Sequence, residues 1–332
     1  MSETATHLLI PFAAVSSEDG QRQLKDMNGP HLRQLLDTLT LVDSDVGTDE
    51  SFSPPHERAL ARAQGLPATD GSIPWAAEIA HTRAAALGLK DVHTLPWGFV
   101  TLCHGDVGTS SMALQNPDEL QVTDAESRQL LNDMSSYFAE DGLTLHHLPD
   151  LPSTWLVCGE PLRGVRTASL DRVLSTGLDA ELAAWQPQGQ AAAKLRRLQN
   201  EMQMLLYTHT VNDTRNLART AAINSIWLHG TGDLTALLPK VSTNIVMPRN
   251  LADAALKEDW PAWVQAWAQL DATLCADLLK RAQAGEAVVL TLCGERSALR
   301  YELRPKSAFE RLKASFRGIF GLQPAYLLPR QL

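Results

Sequence analysis

The sequence predicts an α/β protein with a mixed sheet flanked by helices, and three observations lead there. Apolar runs of strand length recur along the chain, at His7 to Val15, Trp97 to His104, Ile223 to Leu228 and Val288 to Cys293. Between them lie stretches with helical spacing, such as Leu195, Leu198, Met202, Leu205 and Leu206. Finally, 332 residues with 44% apolar and 20% charged content can bury a sizeable core without staples, as two ordinary domains or one domain with an insertion.

Taken in order, His7 to Val15 reads as a first strand, with Pro11 limiting how central it can be. Leu32, Leu35, Leu36, Leu39 and Leu41 follow Pro30 at helical spacing. Val42 to Pro55 is acidic, Ser-rich and ends in two prolines, so it reads as a surface loop; its acids lack the spacing of a calcium loop. Residues 56–64 and 74–88 read as helices, and Trp97 to His104 as a strand. Pro117 to Phe138 reads as a helix in which Thr123 and Glu126 have the spacing of a capping box. Leu143 to His147 and Thr154 to Cys158 then form a hairpin, which predicts a sheet distinct from that of the first strand.

The helix over residues 190–207 leads into a polar link and the Ile223 to Leu228 strand, which ends in a Gly-Thr-Gly turn. A long helix over 251–284 carries Trp260, Trp263 and Trp267 on one stripe, read as buried packing or as a partner surface. Val288 to Cys293 and Ala298 to Leu303 form a closing hairpin. In residues 306–320, Phe309, Leu312, Phe316 and Phe320 share a helical face against Lys306, Arg311, Lys313 and Arg317. Such a basic amphipathic segment docks on its own domain, an acidic partner or a membrane surface.

A formal net charge of −9 disfavours nucleic acid as a partner. The four cysteines, Cys103, Cys158, Cys275 and Cys293, are dispersed, which suits free thiols in a cytoplasmic protein. The first residues lack the basic region of a signal peptide, and no apolar run is long enough to span a membrane. A G-x-S-x-G elbow, a Walker loop, G-x-G-x-x-G and H-E-x-x-H are all missing. His146 and His147 point to opposite faces if they lie on a strand, and so cannot chelate one ion as neighbours. His104 and Asp106 close a strand, either as ligands or as an Asp-stabilised turn. No cofactor is implied.

Polar chemistry concentrates between Gln199 and Lys240. Arg215 and Arg219 are four residues apart, which puts both guanidinium groups on one face of a helical turn starting near Asn212. Together with Asn212 and Asn224 they form a candidate anion site, since Arg forks and a helix start suit phosphate or carboxylate oxygens. The alternative is that Glu201, Asp213 or Asp233 neutralises the arginines while the asparagines cap helices.

Within this stretch the segments Asn200-Glu201-Met202-Gln203-Met204, His209-Thr210-Val211-Asn212 with Arg215, and Asn224-Ser225-Ile226-Trp227-Leu228-His229-Gly230-Thr231-Gly232 resemble the pattern of the bacterial RpfE-type regulatory protein family. That family is similar over the same residues to the archaeal type of cofactor-independent phosphoglycerate mutase, within the alkaline-phosphatase-like superfamily. This chain has Thr210 where the pattern has Pro, His229 where the pattern has its second Trp, and Thr231 where the pattern has Gly or Gln. The resemblance implies a D-G motif on the first strand and Asp and His ligands for two metal ions. Here the first strand, HLLIPFAAVSS, holds no Asp and the chain no Asp-His dipeptide.

The implied protein is an eroded mutase-like core joined to a smaller α/β portion. Its three parts are an N-terminal α/β portion (1–95), a mutase-like region carrying NSIWLHGTG (96–240), and C-terminal helices, hairpin and basic tail (241–332). The implied function is that of a pseudoenzyme, binding a phosphorylated or carboxylated metabolite through Asn212, Arg215, Arg219 and Asn224, or holding the fold for a regulatory partner. The competing readings are a metal-dependent mutase or phosphatase with ligands such as Asp43, Asp45, His104 and Asp106, and a protein-binding module presenting the Trp stripe or the tail.

Overall fold

The chain begins with strand β1 (Ala5–Ile10), helices α1 (Glu18–Asp26) and α2 (Pro30–Thr38), strand β2 (Thr40–Val46) and helices α3 (Pro55–Gln64) and α4 (Trp75–Leu87). Strands β3 (Trp97–Cys103), β4 (Gly105–Val107) and β5 (Met112–Leu114) lead to helix α5 (Asp124–Glu140) and the hairpin β6 (Thr144–His147) and β7 (Thr154–Cys158). Helices α6 (Leu170–Leu174), α7 (Ala192–Tyr207) and α8 (Thr210–Leu217) precede strands β8 (Ser225–Gly232) and β9 (Thr243–Val246). Helices α9 (Asn250–Ala255), α10 (Trp260–Leu270) and α11 (Ala276–Gln283) and the hairpin β10 (Val288–Cys293) and β11 (Ser297–Glu302) complete it. This computed structural model describes residues 5–26, 28–90, 92–107, 112–175, 182–236 and 243–304. The amphipathic segment 306–320 lies outside them.

The chain divides into two units. One comprises Met1–Glu50, Pro54–Gly65 and Lys240–Leu332, the other Ser51–Ser53 and Leu66–Pro239. The first unit holds a five-stranded sheet in the order β2-β11-β10-β1-β9, so the two ends of the chain, expected to form separate portions, build one sheet. β1 runs parallel to both β10 and β9 and is therefore central; Pro11 falls just beyond its last residue and costs the ladder no donor. Leu8, Ile10, Leu290 and Leu292 face helices α2, α9, α10 and α11, where Leu32, Leu35, Leu251, Trp263, Trp267 and Leu278 complete one core. Leu9, Cys293 and Ala298 point the other way, toward Ala59 and Leu60 of α3.

Three expectations change in this unit. The acidic segment after Val42 contains most of strand β2, which pairs antiparallel with β11 at the sheet edge; the outward side chains of an edge strand can be polar, which hides the strand pattern. The long helix is broken after α9, where Glu258 takes a left-handed φ of 53° and Asp259 caps the new helix α10 by accepting from Ala262 N at 3.0 Å. The proposed partner surface is largely interior: Trp263 and Trp267 are 0% and 1% exposed, and their indole N–H groups donate to Phe12 O at 3.0 Å and Ala13 O at 3.2 Å. Trp260 is half-buried and packs edge-on against Trp263.

The second unit holds an antiparallel sheet in the order β6-β7-β3-β8. The predicted hairpin thus lies in a sheet separate from β1. Leu130, Met134 and Phe138 of α5 and Leu195, Leu198 and Met202 of α7 pack with Val100, Leu102, Trp155, Val157 and Ile226 of that sheet. The capping box of α5 is present: Thr123 Oγ1 accepts from Glu126 N at 3.3 Å and Glu126 Oε2 accepts from Thr123 N at 2.8 Å. The arrangement is mixed α/β, two principal sheets flanked by helices. Among the described residues no helix is long and apolar enough to cross a membrane.

Candidate functional site

The polar stretch of the second unit is built around a chain reversal from α7 through α8 into β8. Helix α8 starts at Thr210, the first-turn position where a Pro, as in the family pattern, is equally at home. His209 caps it, with Nδ1 accepting from Val211 N at 3.2 Å and Nε2 paired with Asp133 Oδ2 at 3.1 Å. Asn212 is buried and its amide is fully committed. Nδ2 donates to Leu206 O at 2.8 Å and Ile223 O at 2.7 Å, while Oδ1 accepts from Ile223 N at 2.8 Å. The end of α7 is thereby tied to the start of β8.

Arg215 is 4% exposed. Nε donates to Ala221 O at 2.6 Å, one terminal nitrogen to Leu120 O at 2.5 Å and the other to Glu126 Oε1 at 2.9 Å. Its neutralising partner is Glu126, not the Glu201, Asp213 or Asp233 expected from sequence; Glu201 is near Arg197 and Asp233 is paired with Arg163. Asn224 clamps Gly105 in both directions, accepting from its N at 2.7 Å and donating to its O at 2.9 Å. Arg219 does not share a helical face with Arg215, because α8 ends at Leu217. It stands exposed in a left-handed turn with φ 58°. Of the four residues singled out, three therefore bond to atoms of their own unit and the fourth faces solvent.

The Gly-Thr-Gly segment lies inside β8 rather than in a turn after it. A Cβ on Gly232 would come within 2.8 Å of Pro74 Cα, and one on Gly230 within 2.8 Å of the Phe99 ring. Thr231 is fully buried, its hydroxyl donating to Val165 O at 2.9 Å and meeting Thr167 Oγ1 at 3.0 Å. His229 hydrogen-bonds Thr101 Oγ1 through Nε2 at 2.9 Å, and burial pushes its pKa down to about 4. His104 donates from Nδ1 to Ala222 O at 2.7 Å. Asp43 and Asp45 belong to the other unit, where Asp45 accepts from Arg58 at 2.8 Å and Arg62 at 2.9 Å. All four cysteines are buried free thiols, and burial raises the pKa of each.

A cleft of about 480 Å³ opens on the α3 side of the first unit's sheet. His7 and Thr291 line it, joined by a 2.8 Å hydrogen bond through His7 Nε2. Burial, helped by the positive charge of Arg300 and opposed by Glu302, lowers the His7 pKa to about 4, so its ring is neutral at pH 7. Sequence reasoning missed this cleft. Its signal was a histidine running directly into the apolar residues Leu8, Leu9 and Ile10 of an interior strand, where burial on both faces normally excludes charged side chains.

The strand end where the mutase-like resemblance implies metal ligands is different in character. After β1 come Phe12, Ala13, Ala14 and Val15, all buried, with Phe12 in a left-handed conformation at φ 50° and the Trp263 and Trp267 indoles bonded to its first two carbonyls. These side chains carry no oxygen or nitrogen ligand and do not fit a divalent ion.

No family model matches the sequence, and no curated protein matches it. Among solved structures the chain is similar to the cofactor-independent phosphoglycerate mutase from Thermoplasma acidophilum, at 12% identity and a TM-score of 0.37 over 90% of this chain and 89% of that one. It is also similar to the PH0037 protein from Pyrococcus horikoshii, at 10% identity and a TM-score of 0.40 over 91% of this chain and 88% of that one.

Proposed function

We propose that this chain is a non-catalytic relative of the cofactor-independent phosphoglycerate mutases that binds a metabolite, carboxylated or phosphorylated, in a regulatory role. The observation that carries the reading is the end of β1. Two-metal phosphoryl transfer needs oxygen and nitrogen ligands to hold the cations and activate a nucleophile. Phe12 and Ala13 occupy that strand end instead, 4% and 0% exposed and fixed by two indole hydrogen bonds. The residues that carry the family pattern support the same reading from the other side. Asn212, Arg215 and Asn224 are used to hold the chain reversal, so the pattern persists as a requirement of the fold. Of the four residues of the implied anion site, Arg219 alone is exposed for a ligand.

The test has two arms. Purified protein is assayed for interconversion of 3- and 2-phosphoglycerate with added manganese or zinc, and its metal content is measured. No turnover and no stoichiometric metal are expected; both together would overturn the non-catalytic reading. Calorimetric titration with small carboxylates and phosphoglycerates then examines the metabolite reading, which fails if none of them binds.

A further inference from the structure

We propose that the cleft on the α3 side of the first unit's sheet binds a free amino acid as its zwitterion. This rests on the metabolite-binding reading above and adds to it a place and a ligand class. The cleft exists because the residues facing each other across it are small: Ala59 and Ala63 on α3 stand opposite Ala5 and Ala298 on the sheet. Small residues alone would leave only a dent. The floor, however, carries a polar group that a simple dent would not: His7 is 3% exposed, lines the cleft and has its Nε2 bonded to Thr291. A ligand donor or acceptor in the cleft meets this ring and its Thr291 partner, where a hydrogen bond shielded from water orients the ligand.

The charges around the floor choose the ligand. Arg62 is bridged to Asp45 at 2.9 Å and Arg300 to Glu302 at 2.7 Å, while Asp43 contributes a further carboxylate. Among the lining residues three carboxylates meet two guanidinium groups, and Arg58 and Arg304, outside the lining, also bridge Asp45 and Glu302, so both signs at the floor are already paired. A dianionic phosphate ester would have to displace carboxylates from both arginines and then sit beside them. A zwitterion exchanges partners without adding net charge: its carboxylate takes an N–H pair of Arg300 or Arg62, and its ammonium takes the acids. Arg300 and Asp43 are register partners on adjacent strands, so both signs are offered side by side. A neutral His7 ring then hydrogen-bonds the ligand without repelling the ammonium group. The volume is within the range of small-molecule sites.

The test uses the full chain with each common L-amino acid at millimolar concentration, and with 3-phosphoglycerate and inorganic phosphate as separate arms. The readouts are thermal unfolding and the imidazole nitrogen resonances of His7. At least one amino acid is expected to raise the unfolding temperature and move the His7 signals, and Ala63→Leu, which fills the cleft from the helix side, is expected to weaken binding about tenfold or more. Arg300→Met, at a half-exposed position, is expected to do the same and provides a second variant if the first unfolds. Binding of 3-phosphoglycerate alone would overturn the amino-acid class and leave the metabolite reading standing. Amino-acid binding unchanged in both variants would overturn the site, and no binding in any arm would overturn both.

Discussion

Arg215 and Glu126 form a buried ion pair, 2.9 Å between nitrogen and oxygen, with side chains 5% and 20% exposed. The same carboxylate completes the capping box of α5, so one group fixes the start of α5 and the middle of α8. Removing the arginine leaves a half-buried carboxylate and two main-chain carbonyls without their donor. Arg215→Met is expected to cost about 3–5 kcal/mol of stability, measured by urea unfolding, and to leave the helical content of the surviving folded protein unchanged.

Acid should act on the same pair. Burial pushes the Glu126 carboxyl up, but hydrogen bonds from the Thr123 backbone and hydroxyl and from Arg215 outweigh it and hold the pKa below its ordinary value. A carboxylate depressed in the folded state contributes stability that is complete above the unfolded value near 4.5 and lost as pH falls through the folded one. Glu126→Gln is therefore expected to lower stability at pH 7 and to make the acid limb below pH 4.5 shallower in urea midpoints taken at successive pH values.

The histidines open a second window at higher pH. His7 and His229 titrate near 4 when folded and near 6.5 when unfolded, so between these values the unfolded chain binds the extra protons. Stability is complete above pH 6.5 and falls as pH drops toward 4 for each ring. His229→Gln should flatten the slope of stability against pH in this window, whatever its effect on the absolute value at pH 7; an unchanged slope would show that the ring is not held neutral.

Much of this architecture is legible in the sequence where the determinants are local. The Thr123 and Glu126 spacing gives the capping box, and the Leu143–His147 and Thr154–Cys158 runs give a hairpin, because each depends on residues close along the chain. The pairing of β1 with β10 and β9 joins residues hundreds of positions apart and leaves no local trace. The same distance hides the cleft, since His7 meets Thr291 only once that sheet forms. Asn212, Arg215 and Asn224 are visible in the sequence as dense hydrogen-bonding capacity and suggest an anion site there. An arginine fork satisfies carbonyls and a capping carboxylate as readily as a phosphate, so residue type alone did not say which partner it takes. The break before α10 was written in Asp259 and Pro261, an N-cap and a first-turn proline masked by the continuous apolar stripe around them.

The seal at the end of β1 depends on two indole donors, and they should not be equivalent. Trp263 is completely buried and bonds Phe12 O, the carbonyl of the residue held at positive φ. Trp263→Phe removes that donor and leaves the carbonyl buried, together with a cavity beside α10. A loss of about 2–4 kcal/mol is expected from the combined terms. Trp267→Phe affects a longer bond, 3.2 Å, to a residue of ordinary φ and should cost less in the same denaturant series.

β8 offers a steric test. A methyl group at Gly232 would lie 2.7 Å from Pro74 Cβ and 2.8 Å from its Cα, and neither the ring nor the backbone can swing away. Gly232→Ala should destabilise by about 1–3 kcal/mol through displacement of the segment before α4. Gly88→Ala is the control, since nothing lies within 4 Å of its Cβ position and its φ of 64° contributes strain alone. The smaller loss expected there, about 1 kcal/mol, separates crowding from left-handed strain.

Arg219 distinguishes a residue kept for binding from one kept by the fold. It sits just past the end of α8 at φ 58°, where glycine is the favoured residue, and its side chain is exposed. An arginine there carries a strain of about 1 kcal/mol, so Arg219→Gly should raise stability by up to that amount in urea unfolding. A residue held at such a position for an anion would show a cost as well, with affinity for 3-phosphoglycerate lost as stability is gained. The expected result is a gain in stability with amino-acid binding unaltered, because the cleft around His7 and Arg300 belongs to the other unit. A loss of phosphoglycerate binding in Arg219→Gly would instead return the anion site to α8.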